Sequence, residues 1–277
     1  MNTTAMRDDA EGIWSAAMAA VQPERLVADR LAMAADGQQF LFDGRPLPAD
    51  VSLDHVERIV VVGAGKAAAG LAAGVERLLG PERLARHRVT RRGSVPAGCG
   101  RRLAAVEVRE TRPATSNLPT PAVVQATHEM LAQVSRLGPR DLVIALVTGG
   151  GSALLAAPKA GVSLEEKIAL TRRLSEAGAD IATLNAARRH MSLVKGGGLA
   201  RACAAGNLLV LVLSDVIGDD LDVIASGPCM PPAPTTPTDA CAQPGMWTTP
   251  GGCRVQHVLV GGNGTAVAAA EAAARRA

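Results

Sequence analysis

Apolar positions along this chain follow two periods that take turns. Residues 141–147 (DLVIALV) and 208–213 (LLVLVL) are short apolar runs, the mark of strands buried on both faces. Weaker runs of the same kind lie at 58–62, 103–108 and 255–260. Between them, apolar residues recur at helical spacing. They do so over 63–79 after a turn, over 121–137 up to Gly138 and Pro139, over 164–177 and 179–194, and over the alanine-rich 264–276. About residues 10–35 are helical in spacing too, with Pro23 and Glu24 suited to the first turn of a second helix. Residues 36–50 read as a loop. Strands alternating with helices predict an α/β fold, a three-layer αβα arrangement around a mostly parallel, Rossmann-like sheet. The segment 229–254 carries six prolines and no period, and so predicts a long irregular loop.

Composition narrows the classes. Of 277 residues, 48% are apolar and 20% charged, enough to bury a sizeable core. With two Phe, two Trp and no Tyr, that core must be aliphatic. A net charge of +3 is too small to argue for nucleic acid, and the run at Arg91, Arg92, Arg101 and Arg102 reads as solvated surface. The five cysteines form no CxxC pair and no signal peptide precedes them, which argues against a disulfide framework. The equal spacing of Cys229, Cys241 and Cys253 raises a metal only weakly. No apolar run reaches the ~20 residues of a membrane span. The chain reads as soluble and cytoplasmic.

Four turns carry candidate chemistry. The first, VVVGAGKAAAG at 60–70, sets glycines between a strand and a helix, where free N–H groups favour phosphate. Gly63, Gly65 and Ala68 fit a relaxed dinucleotide fingerprint, but Glu82, the acid near ribose spacing, follows a proline in a turn. Lys66 stands at the helix start, where a cation opposes the helix dipole. That favours contact with a phosphate or acidic ligand over a structural role; the competing reading is a solvated lysine. The second turn, TGGGSALL at 148–155, places Gly149, Gly150 and Gly151 after a buried strand. Backbone there can approach a ligand closely, and Ser152 can cap the next turn or donate to a phosphate oxygen. A tight turn without ligand is the alternative.

The third is the helix at 179–195. At about 100° per residue, Ile181, Leu184, Arg188, Met191 and Lys195 share one face, with Asn185 and Ser192 at its edge and His190 pointing elsewhere. Two cations among apolar residues call for an anion, because an unpaired buried charge is costly. A carboxylate substrate, a phosphate, Asp215 or Asp219 could meet them; otherwise the Arg snorkels and the Lys frays. The fourth, SDVIGDDLDVIASGP at 214–228, puts Asp215 at the carboxyl end of a buried strand, where open α/β sheets bind ligands. Mg²⁺ beside phosphate needs one or two carboxylates, and Asp215 and Asp219 are the candidates. Asp220 and Asp222 read as solvated.

Taken together, GAGKAA, TGGGSALL, NxxRRHMSxxKGGGLA and SDVIGDDLDVIASGP resemble, in order and spacing, the glycerate 2-kinase family. The second half of that family's proteins is the MOFRL domain, and its members are often labelled hydroxypyruvate reductase. The resemblance covers nearly all of 14–228 and returns at 258–274. It implies transfer of the γ-phosphoryl of ATP to the 2-hydroxyl of D-glycerate, with Mg²⁺. It places the family's functional lysine on Lys66 and its glycine-rich loop on Gly149–Ser152. Its cationic positions fall on Arg188, Arg189, His190 and Lys195, and its acids on Asp215 and Asp219. Where many members carry GHPxPD, this chain has TRPATSNLPTP. On the resemblance, residues 1–277 correspond to the amino-terminal domain alone, with the MOFRL domain absent. Two other readings stay open: an NAD(P)-dependent hydroxypyruvate reductase using Gly63–Ala68, and an inactive truncated remnant.

Overall fold

The computed structural model describes residues 3–47, 51–105, 107–232 and 245–277. Helices α1 (Thr3–Ala20) and α2 (Pro23–Arg30) open the chain, with Pro23 in the first turn of α2. Residues 31–46, expected as helix end and loop, instead build a small antiparallel sheet of β1 (Leu31–Met33), β2 (Phe40–Phe42) and β3 (Arg45–Pro46). Asp43 and Gly44 take left-handed backbone between β2 and β3. That tight hairpin turn is legible only once the aromatic flanks Phe40 and Phe42 are read as strand.

The main sheet runs through β4 (Arg58–Ala64), β5 (Thr90–Pro96), β6 (Glu107–Arg112), β7 (Asp141–Thr148), β8 (Asn207–Leu213), β9 (Met246–Thr248) and β10 (Arg254–Gly261). Its order is β6-β5-β4-β7-β8-β10-β9, parallel except for the β9 edge. Strand β7 is buried along its whole length. Val143, Ala145 and Val147 face one helical layer, while Leu142, Ile144 and Leu146 face the other. That two-sided burial explains the continuous apolar run. One layer holds α2 and α3 (Ala68–Arg86). The other holds α4 (Pro121–Val134), α5 (Gly151–Leu154) and α8 (Gly198–Ala202). Helices α6 (Leu164–Glu176) and α7 (Ile181–His190) pack on each other beyond this layer. Helix α9 (Asn263–Ala274) buries no side chain and packs against α1.

Several expectations are corrected. Of the arginines expected on solvated surface, Arg101 and Arg102 are exposed, but Arg91 and Arg92 lie in strand β5, and Arg92 ion-pairs Glu129 of α4. Strand β6 starts at Glu107, later than its apolar pattern suggests. Helix α7 ends at His190, not near Lys195. Ser192 folds back there to accept from the N–H groups of Val194 and Lys195, and Gly196 and Gly197 take left-handed backbone. The irregular loop at 229–254 contains β9, whose Trp247 indole donates to Cys229 O at 3.0 Å. Residues 233–244 of that loop, with Cys241, lie outside the described residues.

Candidate functional site

The chain leaves β4 toward β5 and β6, then returns to lay β7 on the opposite side of β4. That reversal makes a crevice at the carboxyl ends of β4 and β7, the place where open α/β sheets bind ligands. Two glycine turns meet in it. Lys66 N–H donates to Gly149 O at 3.0 Å, and Ala67 N–H donates to Thr148 Oγ1 at 3.2 Å. A Cβ at Gly65 would collide with Thr148 Oγ1, and Gly65 holds φ 133°, so only glycine permits this contact. The exposed Lys66 side chain lies over Gly150, its Cγ 3.5 Å from where a Cβ would stand. A Cβ at Gly149 would strike the Asp215 carboxylate, which therefore rests against the turn.

Across the same turn stands Lys195, 2% exposed. Its Nζ donates to Ser152 O and Ser152 Oγ, both at 2.8 Å, and approaches Ala225 O at 3.5 Å. No carboxylate pairs with it among the described residues. Burial, with Lys167, Arg188 and Arg189 nearby, pushes its pKa well below the ordinary lysine value. Ser152 Oγ lies 3.1 Å from Ser226 Oγ, which donates to Asn185 Oδ1 at 2.9 Å. With Ser226 donating onward, the chain of hydrogen bonds runs from Lys195 to Asn185. The site around Ser226 is strained: Ala225 and Ser226 both hold positive φ, 52° and 64°. Main-chain bonds from Gly196 N to Ser226 O and from Gly197 N to Gly227 O clamp this turn to the one carrying Lys195. Lys195 therefore reaches the site through a glycine turn, and the helix-face argument fails for it. That argument also misplaces Ile181, which is exposed.

Beside Lys195 opens a small, partly open cleft. Asn117 and Leu118 line it from the segment that replaces GHPxPD, Lys167 and Thr171 from α6, and Arg188 from α7. Lys167 escaped the sequence reading. It is 4% exposed, and its Nζ has no hydrogen-bond partner among the described residues. Burial first, then Arg188, brings its pKa down to about 8; burial also lowers that of Arg188. The available signal was its position, three residues after Leu164 and four before Thr171 on the inward stripe of α6. The Ser163–Glu166 capping box and the Asp180 cap on Thr183 N fix where α6 and α7 begin.

Other candidates scatter. Asp219 rests on another turn: a Cβ at Gly262 would meet its Oδ1, which is buried and has no hydrogen-bond partner among the described residues. Gly149 and Gly262 follow β7 and β10, which flank β8, so the two carboxylates rest on different turns. Asp222 is not merely solvated; its carboxylate pairs with Arg189 Nη2 at 2.6 Å. His190 is exposed. Glu82 follows the Gly80 break in α3, 14 residues past the helix start and some 20 Å from the glycine turn. No acid lies in β5, where a dinucleotide fold holds its ribose acid.

Comparison with known proteins follows the same outline. The family described as Domain of unknown function (DUF4147) matches residues 9–248. "Glycerate kinase" of Rattus norvegicus is 37% identical over 238 residues, covering 81% of this chain and 43% of that protein. "D-glycerate 2-kinase" of Thermotoga maritima is 34% identical, covering 77% of this chain and 50% of that one. A protein of Agrobacterium vitis named "Putative hydroxypyruvate reductase" is 44% identical over 67% of this chain and 40% of its own. The crystal structure of Thermotoga maritima glycerate kinase superposes with a TM-score of 0.71 at 28% identity, covering 99% of this chain and 63% of that one. A Pyrococcus horikoshii structure gives 0.74 at 26%, covering 98% and 63%. The chain thus spans two fifths to one half of these curated relatives.

Proposed function

The chain belongs to the DUF4147 family, and from that premise we propose that it supplies the phosphate- and substrate-facing wall of an ATP-dependent D-glycerate 2-kinase. One observation carries this reading: the Gly149–Gly151 turn is flanked by Lys66 on one side and on the other by buried Lys195, which pairs with no acid among the described residues. Phosphoryl transfer demands little covalent chemistry and much charge placed around an anion. Lys66 and the turn's backbone would hold the transferring phosphate, and Lys195, oriented by Ser152, would stabilise charge that builds on it. Asp215, resting on Gly149, fits an Mg²⁺ that keeps most of its waters, and Asp219, resting on the Gly262 turn, would be its second candidate ligand. The ion would supply charge neutralisation between phosphates. Arg188 would bind the organic acid.

The absence of an acid in β5 and the remote position of Glu82 weigh against a dinucleotide at Gly63–Ala68. The test is ADP release driven by D-glycerate with ATP and Mg²⁺, measured on this chain alone and fused to the part of a relative that its match leaves uncovered. Phosphorus NMR should place the phosphate on the 2-hydroxyl, and Lys66→Ala should cut turnover by about 10²-fold. Lack of turnover in both forms, or indifference to Lys66→Ala, would sink the assignment.

A further inference from the structure

We infer that the cleft bounded by Lys167, Arg188, Lys195 and Asn117 is a carboxylate pocket, and that Lys167 selects a small 2-hydroxycarboxylate by binding its carboxyl group. The inference rests on the kinase reading only for the hydroxyl beside that carboxylate; the pocket stands on its own geometry.

Three cations on three separate elements converge on one cleft, and among the described residues no acidic side chain lines it. Lys167 is 4% exposed and its Nζ donates to nothing among the described residues. A buried ammonium with three unused donors is costly unless an acceptor arrives with a ligand. Lys195 offers no relief, being turned to Ser152, and the guanidinium of Arg188 repels Lys167 further. The missing partner is an anion with at least two acceptor atoms, small enough for the cleft. Its neighbours narrow it: Leu118 and Ile168 bound the cavity with apolar surface, leaving room for a short carbon chain. Lys195 joins this cleft to the Gly149–Gly151 turn through Ser152, so an acid seated on Lys167 presents its far end toward the turn. A carboxylate fits this asymmetry, charged at one end and hydroxylated at the other. Inorganic phosphate does not, being charged all round.

Thermal melts of the 277-residue chain provide the test, with D-glycerate, inorganic phosphate or sodium chloride at matched ionic strength. D-glycerate should raise the wild-type midpoint and phosphate should do so much less, since only bound ligand stabilises. Lys167→Met should melt above the wild type without ligand, because it removes an uncompensated buried charge. It should also weaken D-glycerate binding by roughly 10- to 100-fold, the value of a lost charged hydrogen bond. Lys167→Arg should restore part of the response. A midpoint that falls in Lys167→Met, or a D-glycerate response that survives it, overturns the inference. So does a wild type that responds to phosphate and not to D-glycerate, or to neither. A D-glycerate response that depends on Lys167, with no ADP release in any form, would retain the pocket and sink the kinase reading alone.

Discussion

Ser152 Oγ accepts the ammonium of Lys195 at 2.8 Å and lies 3.1 Å from Ser226 Oγ, so one hydroxyl joins the glycine turn to the strained turn after β8. Only a residue that donates and accepts at once can fill that place. Ser152→Ala should leave Lys195 with main-chain acceptors alone and Ser226 without its second partner. The expected loss is about 1–2 kcal/mol of stability, read as a lower urea midpoint at unchanged slope. Ser152→Thr should recover most of it. If Ser152→Ala is neutral, the chain from Lys195 to Asn185 does not tension this site.

A second pair holds the opposite, amino-terminal edge of the sheet. Arg58 grips Asp141 with both ends of its guanidinium, at 2.9 and 2.6 Å, and Gly138 N–H donates to the same carboxylate at 2.7 Å. Asp141 is 2% exposed, while the Arg58 side chain is 45% exposed and can rehydrate. The vulnerable partner is therefore the acid. Arg58→Ala should cost about 2–3 kcal/mol because it leaves the buried Asp141 carboxylate with Gly138 N–H alone, and Asp141→Ala should cost less because the Arg58 head group can rehydrate. Chemical denaturation of both variants decides the order.

Much of this was legible from sequence because most sheet residues carry the same signal twice, in apolar content and in helical intervals between strands. Strands β7, β8 and β10 and helices α4, α6 and α9 sit within a few residues of where periodicity puts them. Three things were hidden. Strand β5 holds Arg92 with its charge paired to Glu129, so tertiary pairing overrides composition there. The end of α7 is decided by Ser192 and by left-handed glycines, local chemistry that a helical wheel ignores. Lys167 looks like one more surface lysine in LEEKIALTRRLSE until α7 and the Asn117 segment close over it. The glycine turns were found readily because glycine beside a buried strand has few other uses.

Stability should fall on mild acidification. His87 is 2% exposed with Nδ1 2.9 Å from Val56 O, and His257 Nδ1 lies 3.2 Å from Gly245 O. Burial lowers the pKa of both from the ordinary value of 6.5. The unfolded chain then binds protons that the folded one refuses, so stability is full above about pH 6.5 and declines as pH drops through it. Replacing both histidines by Gln should flatten this decline between pH 7 and pH 5, as followed by thermal midpoints. A wild-type midpoint constant over that window would contradict the assignment.

Alkali should loosen the carboxylate pocket. The charged groups sharing the cleft with Lys167 are Arg188 on α7 and Lys195 on the following turn; Asn117, Ser152 and Thr171 are its uncharged polar groups, and among the described residues no acid lines it. With its pKa lowered to about 8, Lys167 is mostly charged at neutral pH and mostly neutral two units higher. A bound carboxylate favours the charged form, so binding releases no proton below pH 8 and must take one up above it. The D-glycerate dissociation constant should be flat up to about pH 8 and then rise by up to tenfold per unit. Free-chain stability should move the other way, because the folded pKa lies below the ordinary 10.5. The penalty for charging Lys167, on the order of 3 kcal/mol, is fully present below pH 8 and disappears as pH climbs toward 10.5. Calorimetric titrations and melts across pH 7 to pH 10 separate the two trends. In Lys167→Met both curves should lose the inflection near pH 8, and a binding curve that keeps it would exclude Lys167 as its source.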